Sequence, residues 1–177
     1  MKRAEFEHAI RAAASILGTD KLMVIGSQAL HATVSDGLPV AAQRSIEVDV
    51  VAFDDVEGQL ADLIDASIGE ASMFHATFGY YAQGVSESTA VLPEGWRDRL
   101  VRFETPATNG VVAWCLEVHD LWISKSIANR EKDIEFCQAL LINGTVDKTV
   151  LQSRLETVTD LAAELRQVVR QRIDGRS

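Results

Sequence analysis

The stretch VIGSQALHATVSDGLPVAAQRSIEVDVV, residues 24–51, contains two short apolar runs separated by a Gly-Ser turn and a polar loop. Apolar runs of this length, rich in β-branched residues and bounded by turn formers, are typical of buried strands. We therefore predict strands over residues 22–25 and 46–53. The second strand carries acids inside its apolar run, and those acids decide how the chain is interpreted.

Glu47 and Asp49 lie two residues apart in the predicted second strand. Because side chains alternate along a strand, both acids face one side, while Val48 and Val50 face the other. Two carboxylates at this spacing repel each other unless a cation lies nearby. Two interpretations follow from the residues alone: a strand with one solvated face, or a pair of metal ligands.

Gly26 and Ser27 follow the first strand and precede SQALHATV, which we predict to be a short helix with Ser27 as its cap. The backbone N–H groups at the start of a helix bind phosphate well. A phosphate-binding turn beside a pair of carboxylates that hold Mg²⁺ is what metal-dependent nucleotidyl transfer requires. Residues 24–51 therefore indicate a nucleotide site.

The remaining pattern alternates helices and strands and then becomes helical. We predict helices over 4–17 and 55–68, a flexible loop over 35–43, one strand or a bent pair over 73–85, strands near 100–103 and 111–116, and helices after His119 that end in one amphipathic helix marked by Val150 to Val168. This order predicts an α/β (α+β) fold with a mixed sheet, flanking helices and a helical C-terminal portion. We expect a single domain over 1–177, with a core at about 20–118 and a helical part at about 119–174.

Composition narrows the class of protein. The chain is 47% hydrophobic with a net charge of −9, which argues against a broad nucleic-acid-binding surface. Charges interrupt the apolar runs, so we predict no membrane span and a cytoplasmic protein. Cys115 and Cys137 lie in apolar segments, where buried thiols are the expected state.

A second charged group lies in DLWISKSIANREKD, residues 120–133, which we predict to be one helix capped by Asp120. Lys125, Asn129 and Asp133 recur at a spacing of four residues and would share one helix face. That face is either an exposed charged surface or a contact for the triphosphate. Arg130, on the same segment, could serve the triphosphate in the same way.

Several motifs together resemble a known family. VIGSQAL and EVDV are similar to the Gly-Ser and Asp-x-Asp signatures of the polymerase-β-like nucleotidyltransferases. More narrowly, GSQALHA, RSIEVDV, FHATFGYYAQGV, LPEGWRDRLV and HDLWISKSIANREKDIEFCQALL resemble DUF6036-type proteins, which are grouped with the AbiEii-like nucleotidyltransferases. The similarity covers residues 20–145, and several members of that group are toxins of toxin–antitoxin pairs.

The resemblance implies a role for individual residues. It assigns Gly26 and Ser27 to the phosphate-binding turn, Glu47 and Asp49 to Mg²⁺, Lys125 to the nucleotide phosphates, and Asp133 to a later acidic position of the site. Arg44 lies one loop before the carboxylate strand. It could reach a substrate phosphate, with a surface cation as the equal alternative.

We therefore predict a metal-dependent nucleotidyltransferase that moves a nucleoside monophosphate from an NTP to an acceptor: a tRNA, a protein or a small molecule. A toxin with a cognate antitoxin is one setting for this activity. The chain departs from the family pattern in two ways, because Glu47 replaces the usual Asp and GYYAQGV offers no third carboxylate. These departures favour the alternative, a non-catalytic module of the same fold that binds a nucleotide or a partner protein.

Overall fold

A computed structural model describes residues 1–34, 37–55 and 57–175. Its centre is a five-stranded mixed sheet with the strand order β3-β2-β1-β5-β4. The strands are β1 (Lys21–Val24), β2 (Glu47–Val51), β3 (Tyr81–Gly84), β4 (Val101–Phe103) and β5 (Val112–Cys115). The pairs β1–β5 and β2–β3 are parallel, whereas β1–β2 and β4–β5 are antiparallel. The predicted α/β fold with a mixed sheet is confirmed.

Eight helices accompany the sheet in the described part of the chain. They are α1 (Arg3–Leu17), α2 (Val40–Gln43), α3 (Gln59–Ile68), α4 (Met73–Phe78), α5 (Val118–Ala128), α6 (Glu131–Ile142), α7 (Lys148–Glu156) and α8 (Ala163–Asp174). A 3₁₀ helix, Ser27–Ala32, follows β1. None of the described helices is both long and apolar enough to cross a bilayer.

The main core lies between the sheet and α1. Phe6 and Ile10 of α1 are fully buried, as are Val48 and Val50 of β2. Phe6 and Ile10 are four residues apart and so share one face of the helix, and Val48 and Val50 alternate to one face of the strand. All four side chains therefore point into the core between α1 and the sheet. The strand face opposite this core carries Glu47 and Asp49, as the alternation predicts.

That opposite face has an apolar portion of its own. Met23, Ile25 and Val51 are buried in a small separate cluster, with Trp96 and Trp114 packed against it. Along β2 the face changes from acidic at Glu47 and Asp49 to apolar at Val51. The acids therefore lie beside a packed apolar layer that supports the strand on the same side.

Three predictions for residues 27–85 are wrong. Ser27 does not cap the helix after β1, because Gly26 is the N-cap and the element is a 3₁₀ helix. The predicted loop over 35–43 contains α2 at Val40–Gln43, while Ser35 and Asp36 lie outside the described residues. The first half of 73–85 is α4, capped by Ser72, whose hydroxyl accepts from His75 N at 3.1 Å.

The helical C-terminal portion is more divided than predicted. Asn129 adopts a left-handed conformation that ends α5, so the helix drawn through 120–133 is two helices. Glu117, rather than Asp120, caps α5. The final amphipathic helix is likewise two, α7 and α8, separated by residues 157–162. The helical spacing of apolar residues is similar before and after each break. The sequence pattern therefore does not show where one helix ends and the next begins.

Both cysteines are buried and free, as predicted. The Cys137 thiol contacts Trp122 O at 3.5 Å, and Cys137 O accepts a hydrogen bond of 2.9 Å from the Trp122 indole. Burial raises the pKa of both thiols above the ordinary range. Both are therefore packing residues, Cys115 at the end of β5 and Cys137 between α6 and Trp122 of α5.

Candidate functional site

Asp49 lies directly against the turn that follows β1. A Cβ atom at position 26 would lie only 1.6 Å from Asp49 Oδ2, so no residue larger than glycine fits there without displacing the carboxylate. The backbones are joined at the same point, because Ile25 N donates to Asp49 O at 3.2 Å. Gly26 has an ordinary φ of −91°, so close approach, and not backbone conformation, requires the glycine.

Gly26, Glu47 and Asp49 line one cleft of about 240 Å³, which we call the carboxylate cleft. Its other polar lining residues include Gln83, Lys125, Arg130 and Lys132. This cleft therefore brings together five of the predicted site residues. They are the two predicted metal ligands, Gly26 of the predicted phosphate-binding turn, and the two predicted phosphate contacts Lys125 and Arg130. The chain delivers them from β1, β2, the end of α5 and the start of α6.

Positive charge surrounds the carboxylates. Lys132 Nζ lies 3.7 Å from Glu47 Oε1. Burial, followed by the charge of Glu47, raises the pKa of Asp49, and the charges of Lys125, Lys132 and Arg130 oppose that rise. Two close carboxylates beside several cations can bind a metal ion on one side and an anionic ligand on the other.

Asp133 differs from the other predicted residues because it is only 2% exposed. Its Oδ1 lies 3.2 Å from Lys125 Nζ, and its Oδ2 lies 2.6 Å from Arg130 Nε. Although Asn129 breaks the predicted helix, the turn between α5 and α6 still brings Lys125 and Asp133 together. Asp133 therefore positions two cations from behind the cleft instead of facing its contents.

A second cleft, also about 240 Å³, adjoins the first. Its lining includes Ser27, Arg44, Glu47, Lys125 and Asp133. Glu47, Lys125 and Lys132 line both clefts and form the boundary between them. Arg44 forms an exposed ion pair with Glu135 of α6, so the structure gives it a partner other than the carboxylates.

The sequence prediction missed three contributors. Lys132 was not singled out within the charged run that contains Lys125 and Arg130. Tyr81 donates a hydrogen bond of 3.0 Å to Glu47 Oε2, and burial together with Glu47 raises the pKa of Tyr81 to about 12. Gln83 pairs in register with Asp49. The alternation of Tyr81 and Gln83 on the next strand was the available signal.

The residues fit a divalent cation in part. Glu47 and Asp49 supply the hard oxygen donors that Mg²⁺ prefers, and bound water or phosphate oxygens commonly complete its six ligands. Among the described residues, no group of three or more His, Cys, Asp and Glu side chains could hold a metal. A cation here would take two carboxylates from the protein and no third.

A family model described as "Nucleotidyltransferase of unknown function (DUF6036)" matches residues 4–173. The chain belongs to this family. The predicted resemblance to DUF6036-type proteins is confirmed, and the match covers almost the entire chain. No curated protein and no solved structure matches it. Membership in a nucleotidyltransferase family agrees with a cleft that combines carboxylates, cations and a glycine turn.

Proposed function

We propose that the protein transfers a nucleoside monophosphate from an NTP to an acceptor hydroxyl in a reaction that depends on a divalent metal. The observation that carries the proposal is the contact of Asp49 with Gly26 in a cleft ringed by Lys125, Arg130 and Lys132. Carboxylates, a glycine that permits close approach and several cations are the parts that phosphoryl transfer uses for positioning and electrostatic stabilisation.

Glu47 and Asp49 would hold Mg²⁺, which supplies charge neutralisation and orientation of the phosphate oxygens when it is bound. Tyr81 would orient Glu47 through their hydrogen bond of 3.0 Å. The turn at Gly26 would offer backbone N–H groups to the phosphates, and the missing side chain leaves room for the Asp49 carboxylate beside that turn. Ser27 lines the second cleft, where its hydroxyl and the turn would contact the same phosphate chain.

The cations would neutralise the triphosphate. Asp133 contacts both Lys125 and Arg130 and would orient their charges before a ligand arrives. Preorganised charges of this kind stabilise negative charge that develops on a leaving pyrophosphate. Lys132 would exchange Glu47 for a phosphate oxygen, and Arg44 would exchange Glu135 in the same manner.

Calorimetric titration with ATP, CTP, GTP and UTP, each with and without Mg²⁺, tests the nucleotide half of the proposal. We expect at least one NTP to bind in a manner that requires Mg²⁺, and the Glu47→Gln, Asp49→Asn double variant to lose that requirement. The matched control is Glu94→Gln with Asp20→Asn, which removes the same charges from exposed positions. Absence of metal-dependent binding by the unaltered protein would refute the proposal.

The second half of the proposal concerns the acceptor of the nucleoside monophosphate. A tRNA, a protein side chain or a small molecule would all present a hydroxyl, and we propose that a cytoplasmic extract contains the acceptor. Incubation of the protein and extract with α-labelled NTPs should transfer label to one class of molecule. Treatment with nuclease, protease or a size cut-off then assigns the class, and the double variant should label none.

A toxin role, with a cognate antitoxin as partner, is the biological setting we propose to test first. Expression of the unaltered chain should arrest growth, and the double variant should not. Equal growth of both strains would count against a toxin while leaving the transfer reaction to be judged by labelling.

The alternative function is a non-catalytic module that binds a nucleotide without transferring it. The specific observation in its favour is the lack of a third acidic ligand among the described residues. Metal-dependent NTP binding with no label transferred to any extract would support this alternative over an enzyme.

A further inference from the structure

We infer that Gln83 is a third oxygen donor to the divalent cation of the proposed site, contributing a neutral amide oxygen beside the carboxylate of Asp49. The inference rests on the proposed function, because it concerns the same cation. It adds a ligand that carries no charge, and it explains how two carboxylates could be sufficient acidic ligands here.

The sheet register places Gln83 at this position. In the parallel pair β2–β3, Tyr81 lies opposite Glu47, and Gln83 lies opposite Asp49. Residues paired in this way on neighbouring strands, about 4.8 Å apart, point to the same face of the sheet. The hydrogen bond from Tyr81 to Glu47 shows that side chains of the two strands meet on that face.

The register is fixed on both sides of Gln83. Tyr81 N donates to Ile46 O at 3.0 Å, and Val85 N donates to Val50 O at 2.9 Å. A slip by one residue would break both bonds and turn Gln83 to the core face. Gln83 is exposed and lines the carboxylate cleft, so its amide is presented to the space beside Asp49.

Gly84, the residue after Gln83, joins β3 to helix α3. Gly84 N donates to Asp65 Oδ1 at 2.7 Å, and a Cβ atom at position 84 would lie 2.1 Å from Ala61 O. Helix α3 therefore packs tightly against the strand end. The backbone that carries Gln83 has a fixed position relative to Asp49, as a ligand-bearing backbone should.

Charge explains why an amide suits this position. Amide oxygens are accepted ligands of hard divalent cations, and ligand charge sets much of the affinity. A third carboxylate beside Glu47 and Asp49 would add repulsion, whereas the amide adds a donor without it. We therefore expect the protein alone to hold the cation weakly and to hold it more tightly when nucleotide phosphates contribute further oxygens.

The inference is tested by measuring Mn²⁺ binding with electron paramagnetic resonance in the absence of nucleotide. The unaltered protein is compared with the variants Gln83→Glu and Gln83→Leu. Because a full charge close to the cation is added, Gln83→Glu should tighten Mn²⁺ by about tenfold or more. Gln83→Leu should weaken it several-fold, since the donor is lost and the volume is nearly kept. Gln152→Glu, an exposed position on α7, adds the same charge elsewhere and should leave binding unchanged.

The outcomes separate this inference from the proposed function. Mn²⁺ binding that Asp49→Asn removes, but that neither Gln83 variant alters, would overturn the role of Gln83 and leave the metal site standing. No Mn²⁺ binding by the unaltered protein, with or without NTP, would overturn both. Thermal unfolding of each variant shows whether a weakened affinity reflects a lost ligand or a damaged fold.

Discussion

Asp49 lies in an environment that is unfavourable for a charged side chain. Its side chain is half-buried, lies near Glu47 and fills the space above Gly26. Burial and the neighbouring negative charge both disfavour its ionised form, which raises its pKa. A carboxylate in this environment contributes little to the stability of the fold, which is consistent with the role of metal ligand that we propose for Asp49.

Replacement of Asp49 by Asn should separate these two roles. The variant keeps the shape and removes the buried charge, so we expect its free energy of unfolding at neutral pH to rise by roughly 1 kcal/mol without metal. Metal-dependent NTP binding should disappear at the same time. Urea unfolding and calorimetry measure the two effects, with Asp20→Asn as the exposed control. A less stable Asp49→Asn protein would contradict this account of the buried charge.

Gly26 offers a second residue-level prediction. Gly26→Ala would force a Cβ atom into the space of Asp49 Oδ2, so the carboxylate must move out of the cleft or β1 must shift. We expect a loss of about 1–3 kcal/mol in unfolding free energy, typical of overpacking, and weaker Mn²⁺ binding. An alanine variant with normal stability and normal metal affinity would show that the close approach is dispensable.

At the scale of elements, the sequence predicted those helices and strands in which apolar residues recur at one regular spacing. Helix α1 and strands β1, β2, β4 and β5 were predicted within a few residues, because apolar spacing and bounding turns specify them directly. The first half of the segment over 73–85 was misassigned, because Met73–Phe78 form a short helix whose aromatic residues favour a strand in the sequence pattern. Asn129 was missed as a break because a charged helical pattern continues on both sides of it.

The predicted site residues show the same division. Glu47, Asp49 and Gly26 belong to local motifs, and the structure places them in one cleft. The contacts of Lys132 with Glu47 and of Tyr81 with Glu47 depend on how α6 and β3 dock against β2. No spacing within one element encodes such contacts, so they could not be read from the sequence.

The packing of α1 on the 3₁₀ helix contains a pH-dependent element. His31 is 4% exposed, and its ring stacks on Phe6 with centroids 4.9 Å apart. Burial, followed by the positive charges of the N-terminal amine and of Arg3, lowers the pKa of His31 to about 4. The folded state therefore excludes a proton that the unfolded chain accepts near its ordinary pKa of 6.5.

The sign of the effect follows from linkage. Protonation favours the unfolded chain as pH falls below 6.5, and stability continues to fall until His31 itself protonates near pH 4. The loss over that interval should be about 3 kcal/mol. Urea unfolding at pH 7.5 and pH 4.5 measures it, and His31→Phe should remove most of the difference attributable to this residue. An unchanged pH dependence in His31→Phe would assign the acid sensitivity to other groups.

At the scale of the whole molecule, one buried ion cluster joins the sheet region to the helical C-terminal portion. Asp120 of α5 is fully buried and accepts hydrogen bonds from Arg99 at 2.8 and 3.0 Å. Arg154 of α7 lies 3.2 Å from the same carboxylate. Arg99 is the last residue of another 3₁₀ helix, Trp96–Arg99, which precedes β4, so one carboxylate connects three distant parts of the chain.

Asp120→Asn should therefore destabilise the entire fold and not one helix. Arg99 and Arg154 would both lose the carboxylate that they contact, and removal of one partner from such a cluster costs about 3 kcal/mol. Burial raises the pKa of Asp120 and so works in the opposite direction, but unlike Asp49 this carboxylate has two arginine partners in direct contact. Unfolding monitored by tryptophan fluorescence and by circular dichroism should remain coincident, with both midpoints lowered. Glu156→Gln, which removes an exposed partner of Arg170, is the control and should change neither midpoint appreciably.

The same cluster predicts how a second change should act. If the cost in Asp120→Asn comes from unpaired arginine charge, then adding Arg154→Met removes one of those charges and should recover part of the lost stability. If the two substitutions are simply additive, Asp120 acts through Arg99 alone and α7 is held by its apolar contacts. A double-mutant cycle of unfolding free energies distinguishes these cases, because only direct coupling gives a non-zero interaction term. Recovery would show that charge, together with the buried side chains of Leu151 and Leu155, holds the helical portion on the sheet region that carries the site.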